Sequence, residues 1–417
     1  MKKFLAKRSV FFHLVMLSLG MDLITKTNRE YTNLNSTKTT VPEKIEPRIL
    51  IVGMSESPHL ITWLEGLAVS QIVEKVWIFP SDFPINQIKI DGLRIMKFPY
   101  FLFGKSQNYF FRIMDYFTKR LWRSYFLYRE INRIMPTHLH FHETQHGAYI
   151  YNAIANHPKN RFSGKTILST WGSDLIVYGK VESHKQRIEQ VLSWTDLLTS
   201  ERPEDFEVAA VNGFRGKFCA PLYITIGNRM DRTALVRPSD RKVVLIKGYQ
   251  DNHGRALNAL ASVELLSKEL DLSDFQFEIF SASEAVALKA ELMKVENGLT
   301  IRVLPRLPKL ELVEHFKVAR AYIGLAISDG LSTSMVEAMI CGAFPIQSKN
   351  SSASDFLVSE INGGVVDPWD IQEVRRLLKL ALMDDVLVDQ AAVINNEKVD
   401  LMYNWETGLN RLKSIYF

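Results

Sequence analysis

Two carboxylates, Asp329 and Glu337, stand eight positions apart in the segment Asp329-Gly330-Leu331-Ser332-Thr333-Ser334-Met335-Val336-Glu337. The apolar run 321–328 precedes them, so the segment reads as a strand-to-helix turn. Backbone N–H groups exposed at a helix start can hold a diphosphate. A carboxylate can accept two hydrogen bonds from a vicinal diol, as acidic residues do for ribose in dinucleotide-binding folds. Gly330 and small hydroxyl residues lie between the two acids. A reading without ligand also stands: Ser334-x-x-Glu337 is a capping box, and Asp329 is a turn residue before Gly330.

The elements around this turn alternate between strand and helix. Short continuous apolar runs at 48–53, 75–79, 138–142, 165–170 and 196–200 predict strands buried on both faces, hence a parallel sheet. Ser57 as N-cap with Pro58 at the first helical position starts a helix towards Ser70. After a polar hinge around Arg237–Arg241 the alternation restarts, with strands at 242–248, 275–281, 299–305, 321–328 and 344–348. Two alternating blocks predict two doubly wound α/β domains, with ligands beyond the carboxyl ends of the strands.

Size and composition agree. A chain of 417 residues with 47% hydrophobic and 23% charged residues favours two globular domains. A net charge of +5 suits anionic ligands such as nucleotide diphosphates or acidic membranes. Cys219 and Cys341 cannot build a disulfide framework, lack zinc-like spacing, and read as buried thiols of a reducing compartment. Lys2, Lys3, Lys7 and Arg8 precede an apolar stretch from Val10 to Ile24, and a polar run from Thr25 to Glu46 follows. That apolar stretch is short for a membrane span, and no A-x-A site follows it. Dispensable extension, interfacial anchor and signal all remain open for it, and no other segment is apolar enough to span a bilayer.

The acidic turn resembles the signature of the family-4 retaining glycosyltransferases of the GT-B fold: an acidic residue, seven residues, Glu, then EAM-x-CG and a Pro-containing strand. Asp329, Glu337-Ala338-Met339, Cys341-Gly342 and Pro345 match in order. Asp stands where Glu is commoner, one methylene shorter in reach. Pro308–Asp329 resembles the helix and strand leading into the signature, Asn362-Gly363-Gly364 through Asp367-Pro368 a later turn, and Tyr403-Asn404-Trp405-Glu406 the start of a final helix crossing back to the first domain. The resemblance spans roughly 48–417 and is strongest in the second half. It implies a GT-B fold of two facing Rossmann-like domains: an extension 1–47, an acceptor domain 48–236, a donor domain 237–400 and a crossing helix 401–417. It further implies that Asp329 contacts the donor sugar, Glu337 contacts the ribose, and Gly330, Leu331, Ser332 and Thr333 present amides to the sugar and diphosphate.

Cations near the leaving diphosphate stabilise the transition state. In the family an Arg and a Lys follow the first strand of the second domain. Lys247 and Arg255 stand in for them here, although the family's usual order is not kept and two solvated charges are the plain alternative. Leu139-His140-Phe141-His142-Glu143 resembles the family's H-x-H-E segment, which implies that His142 faces the donor's anomeric region from the first domain. His138, His140 and His142 also fit alternating strand residues, and a metal site lacks a supporting carboxylate pattern. Trp171-Gly172-Ser173-Asp174 occupies the place of the family's HGSD, so Asp174 either shapes the acceptor side or serves turn chemistry. Gly53 and Ser55–His59 form the first strand-to-helix loop, open to phosphate or acceptor. The loop lacks G-x-G-x-x-G spacing, which gives nicotinamide and flavin no support. Gly164-Lys165-Thr166 is not a P-loop, since Lys159 stands where Gly belongs, and no D-x-D segment appears.

Between Arg94 and Arg133, aromatic residues interleave with Lys105, Arg112, Lys119, Arg120, Arg123 and Arg129. Such a stretch fits an anionic bilayer carrying a lipid-linked acceptor, or equally a buried helix pair with a basic outer face. No nucleic-acid module surrounds it. The expected activity is metal-independent, retaining transfer from a nucleotide-diphosphate sugar, without cofactor, to a polysaccharide, lipid-linked or other glycan acceptor. The expected location is cytoplasmic, at the inner face of a membrane. A GT-B sugar-nucleotide epimerase or hydrolase, or an inert GT-B scaffold, are the alternatives.

Overall fold

The structure, a computed structural model, describes residues 47–55, 57–81, 88–96, 121–219, 222, 223, 227, 230, 232 and 235–417. Most of the N-terminal extension, and residues 97–120 of the aromatic-basic stretch, lie outside the described residues.

The first sheet contains β1 (Ile49–Gly53), β2 (Lys75–Pro80), β3 (Arg94–Met96), β4 (His138–His142), β5 (Lys165–Thr170), β6 (Leu197–Ser200) and β7 (Lys217–Phe218). Their order is β3-β2-β1-β4-β5-β6-β7, with every pairing parallel. The second sheet contains β8 (Val243–Lys247), β9 (Gln276–Phe280), β10 (Thr300–Val303), β11 (Ala319–Gly324), β12 (Phe344–Ser348) and β13 (Gly364–Val366). It runs β10-β9-β8-β11-β12-β13, again all parallel. The chain therefore folds as two doubly wound α/β domains.

The continuous apolar strands explain this architecture. Every residue of β1 and β4 is buried, because helices cover both faces of the sheet. Ser57 caps the helix Pro58–Ser70 in an extended conformation, and Gln71 ends it with φ 51°. The apolar run 321–328 only partly becomes strand. β11 ends at Gly324, and the next residues bond instead to the loop after β8: Arg255 N–H donates to Leu325 O at 2.8 Å and Ile327 N–H to His253 O at 2.9 Å. The short strands β3, β7 and β13 carry too few apolar residues to stand out in the sequence.

Strand order reverses between β1 and β4 and again between β8 and β11. At such a point the helices depart to opposite faces and leave a crevice beyond the strand ends. Gly53 and His142 end the strands at the first crevice, Lys247 and Gly324 at the second.

The final helix, Trp405–Tyr416, starts at Asn404, whose side chain accepts from Thr407 N–H, and it packs on the first domain. Leu412, Ile415 and Tyr416 join the core cluster of Ile49, Ile51, Leu60 and Trp63. Trp63 Nε1–H donates to Tyr416 Oη at 3.0 Å, and His140 Nδ1 lies 2.7 Å from the same oxygen. Tyr416→Phe would leave two buried polar groups without this partner, so it should destabilise the protein by about 1–3 kcal/mol in urea unfolding, with m unchanged.

Candidate active site

Paired loops build the second domain's half of the site. The loop after β8 carries Lys247 to Arg255, and the loop after β11 carries Leu325 to Ser332. Besides the Leu325 and Ile327 bonds, Asp329 N–H donates to Asn350 O at 3.2 Å and Ser352 N–H to Gly330 O at 3.0 Å. These bonds fix the acidic turn on a rigid frame. Ser332 is the N-cap of the helix Thr333–Ile340, so Ser334 lies inside the helix and the capping box does not form. Glu337 is 7% exposed. Its Oε1 lies 3.5 Å from Lys309 Nζ. Burial raises its pKa against the opposing Lys309 charge.

A cleft of about 530 Å³ opens between the domains, lined on the second by Lys247, Tyr249, Asp329, Gly330, Leu331 and Thr333, among others, and on the first by His59, Trp171, Gly172, Ser173 and Glu201. Lys247 Nζ lies 3.6 Å from Asp329 Oδ2 and 5.1 Å from the Tyr249 ring centroid. Burial works against the Lys247 charge, but Asp329, Tyr322 and Tyr249 together outweigh it and raise the pKa. Lys247 is therefore a fixed cation at the foot of the cleft.

The domains touch at this turn. Arg202 Nη1 donates to Asp329 O at 3.3 Å, Leu331 N–H to Glu201 Oε2 at 3.0 Å, and Ser328 Oγ to Gly172 O at 3.4 Å. A Cβ added at Gly172 would collide with the backbone of Asp329 and Gly330. Only glycine allows the two backbone segments to approach so closely.

The structure separates several of the expected residues. Asp329, Gly330, Leu331, Thr333, Lys247 and His59 share the cleft. Ser332 and Glu337 lie buried beside it. Arg255 does not join Lys247: its guanidinium bonds to Asp251 O and Gly254 O and stacks 4.5 Å from the Trp369 ring, which turns it away from the acidic turn. Asp174 is 2% exposed. It accepts from Thr144 N–H and Oγ1 and from Trp171 N–H, so it braces two loops rather than facing an acceptor. Burial raises its pKa, against those same bonds.

His142 is fully buried at the end of β4, packed against Gly53 and 5.1 Å from the Trp63 ring. Among the described residues neither of its ring nitrogens has a hydrogen-bond partner, and burial, helped by His59, pushes its pKa down to about 3. It is a neutral imidazole behind His59 and Trp171, whose rings pack edge to face at 5.1 Å. Glu143 follows with φ 67°, a strained geometry for a non-glycine residue at a strand end.

Sequence reasoning missed Glu201 and Tyr249. Glu201 follows β6 directly and Tyr249 lies just beyond β8. The rule that ligands gather beyond carboxyl strand ends, applied to every strand, would have found both. Among the described residues no group of three or more His, Cys, Asp or Glu is arranged to hold a metal ion. Among them, too, no helix is long and apolar enough to cross a membrane.

A family model described as glycosyl transferases group 1 matches residues 228–399, which include Lys247, Asp329 and Glu337. The search of curated proteins gives no match. Solved structures similar to this chain include sucrose-phosphate synthase from Thermosynechococcus elongatus, with TM-score 0.67 and 13% identity over 89% of this chain and 98% of that one. The α,α-trehalose 6-phosphate synthase of Burkholderia multivorans gives TM-score 0.64 and 11% identity over 88% and 99%. Anabaena HepE in complex with UDP-glucose gives TM-score 0.62 and 10% identity over 88% and 99%. At such identities the likeness establishes architecture, and over nearly the whole of this chain that architecture is the GT-B fold.

Proposed function

We propose that the protein is a glycosyltransferase that moves a sugar from a nucleotide-diphosphate donor to a polysaccharide, lipid-linked or other glycan acceptor, with retention and without a metal. The observation that carries this reading is the Lys247–Asp329 pair beside the Gly330–Thr333 turn, at the crevice where the second sheet reverses its order. The family match over this domain supports it. So does the likeness to a fold whose solved examples include one in complex with UDP-glucose.

In this reading the amides of the turn receive the diphosphate and sugar hydroxyls. Asp329 orients the sugar, Glu337 takes the ribose hydroxyls, and Lys247 balances the charge that grows on the departing nucleoside diphosphate. His59 and Trp171 face the acceptor from the first domain, with His142 holding them from behind. Arg255 is left out of the mechanism by its place on Trp369. The aromatic and basic composition of 94–133 supports a membrane-bound acceptor presented at the inner face of a bilayer.

A calorimetric screen against UDP-, GDP- and ADP-sugars tests the reading, and failure of all three to bind would overturn it. For the cognate nucleotide, Glu337→Ala should raise Kd about ten-fold, as the loss of a hydrogen-bonded charged partner does. Sugar released equally well without any acceptor would assign the site to hydrolysis instead.

A further inference from the structure

We infer that Glu201 is a resident plug of the donor site, a carboxylate from the first domain that holds the Leu331 amide until a donor displaces it. The inference rests on the proposed function for the identity of the displacing ligand, but not for the contact itself.

Glu201 sits directly after β6 and is 8% exposed. Its Oε2 accepts the Leu331 N–H at 3.0 Å. A Cβ added at Gly330 would collide with the same oxygen. The carboxylate is thus pressed against the turn that leads into the helix Thr333–Ile340, the place where backbone amides and the helix dipole favour an anion. One amide proton serves one such acceptor at a time. A diphosphate or sugar oxygen at Leu331 therefore requires Glu201 to leave.

Two further observations show that the contact spans the crevice. The neighbouring Arg202 donates to Asp329 O, so consecutive residues of the first domain grip both sides of Gly330. Gly172 meets the same turn from a second loop of the first domain. The charge balance points the same way. Glu201, Asp251 and Asp329 line the cleft together with Lys247, His59 and His253, and Lys247 is already engaged by Asp329. A dianion enters such a cleft more readily once Glu201 has withdrawn. Because contact and donor exclude each other, whatever weakens the Glu201 contact strengthens donor binding, by at most the same factor.

The test uses the full chain as Glu201→Ala and the near-isosteric Glu201→Gln. Without ligand, hydrogen exchange at residues 328–334 should accelerate in Glu201→Ala, and small-angle scattering should show a larger radius. Titrated with UDP, GDP, ADP and UDP-glucose, Glu201→Ala should bind the nucleotide that wild type binds about ten-fold more tightly, with Glu201→Gln in between. Unchanged exchange at Leu331 would overturn the plug, whatever the binding data. Faster exchange with unchanged or weaker nucleotide affinity would also overturn it, because Glu201 would then be a donor contact rather than a competitor. If wild type binds none of the nucleotides the proposed function falls, while the exchange data still decide the contact.

Discussion

Lys247→Ala is expected to slow glycosyl transfer by about 10²–10³-fold, the loss seen when one preorganised charge-stabilising donor is removed from an active site. Lys247 is held where β8 ends, 3.6 Å from Asp329, with its side chain 17% exposed. A cation fixed in that way needs no reorganisation as the diphosphate departs, so its effect falls mainly on kcat. The check is steady-state kinetics with the cognate donor: kcat should collapse while the acceptor KM changes by less than about three-fold. Lys247→Arg should not rescue, because the planar guanidinium is longer and cannot sit beside Asp329 in the same space. Turnover at the wild-type rate in Lys247→Ala would remove Lys247 from the chemistry. The raised pKa also fixes a sign. Its neighbours keep Lys247 protonated above the ordinary lysine range, so an activity loss near pH 9 would have to come from another group.

Gly172→Ala should be nearly as damaging, with transfer falling about 10²-fold, although no side-chain chemistry is removed. The added methyl would meet the backbone of Asp329 and Gly330 across the crevice. The obstacle is main chain on a frame pinned by Asn350 and Ser352, so it cannot turn aside as a flexible side chain would. The domains must then stand further apart, and a misplacement of about 1 Å between reacting groups is enough for a loss of that size. Scattering should report a larger radius and calorimetry an intact fold. Full activity in Gly172→Ala would mean that the close approach of Gly172 to the Asp329–Gly330 turn is not needed for transfer.

Much of the fold could be read in the sequence because both sheets are parallel and covered on both faces. Strands such as His138–His142, Lys165–Thr170 and Phe344–Ser348 are buried along nearly their whole length, and their limits coincide with the ranges expected from the sequence. β11 was harder, because Leu325–Ser328 is as apolar as the strand before it. Its fate is decided by hydrogen bonds to His253 and Arg255, some seventy positions away.

The same limit governs the site. Asp329 and Glu337 announce themselves by local spacing. Arg255 and Asp174 look suitable by position, but which way they turn depends on Trp369 in one case and on Thr144 and Trp171 in the other. Glu201 carries only the positional signal of a residue just beyond a strand end. Its importance arises only when the two domains meet, and chain order does not encode that meeting legibly.

The return of the last helix to the first domain has a mechanical consequence. The polypeptide passes from the first sheet to the second between β7 and β8 and returns just before Trp405, whose helix is anchored through Tyr416 to Trp63 and His140. Two tethers limit how far the lobes can separate, and a swing about the line joining the crossings is the motion such a linkage favours. Any rim distant from that axis sweeps the widest arc, while the tethered edge scarcely moves.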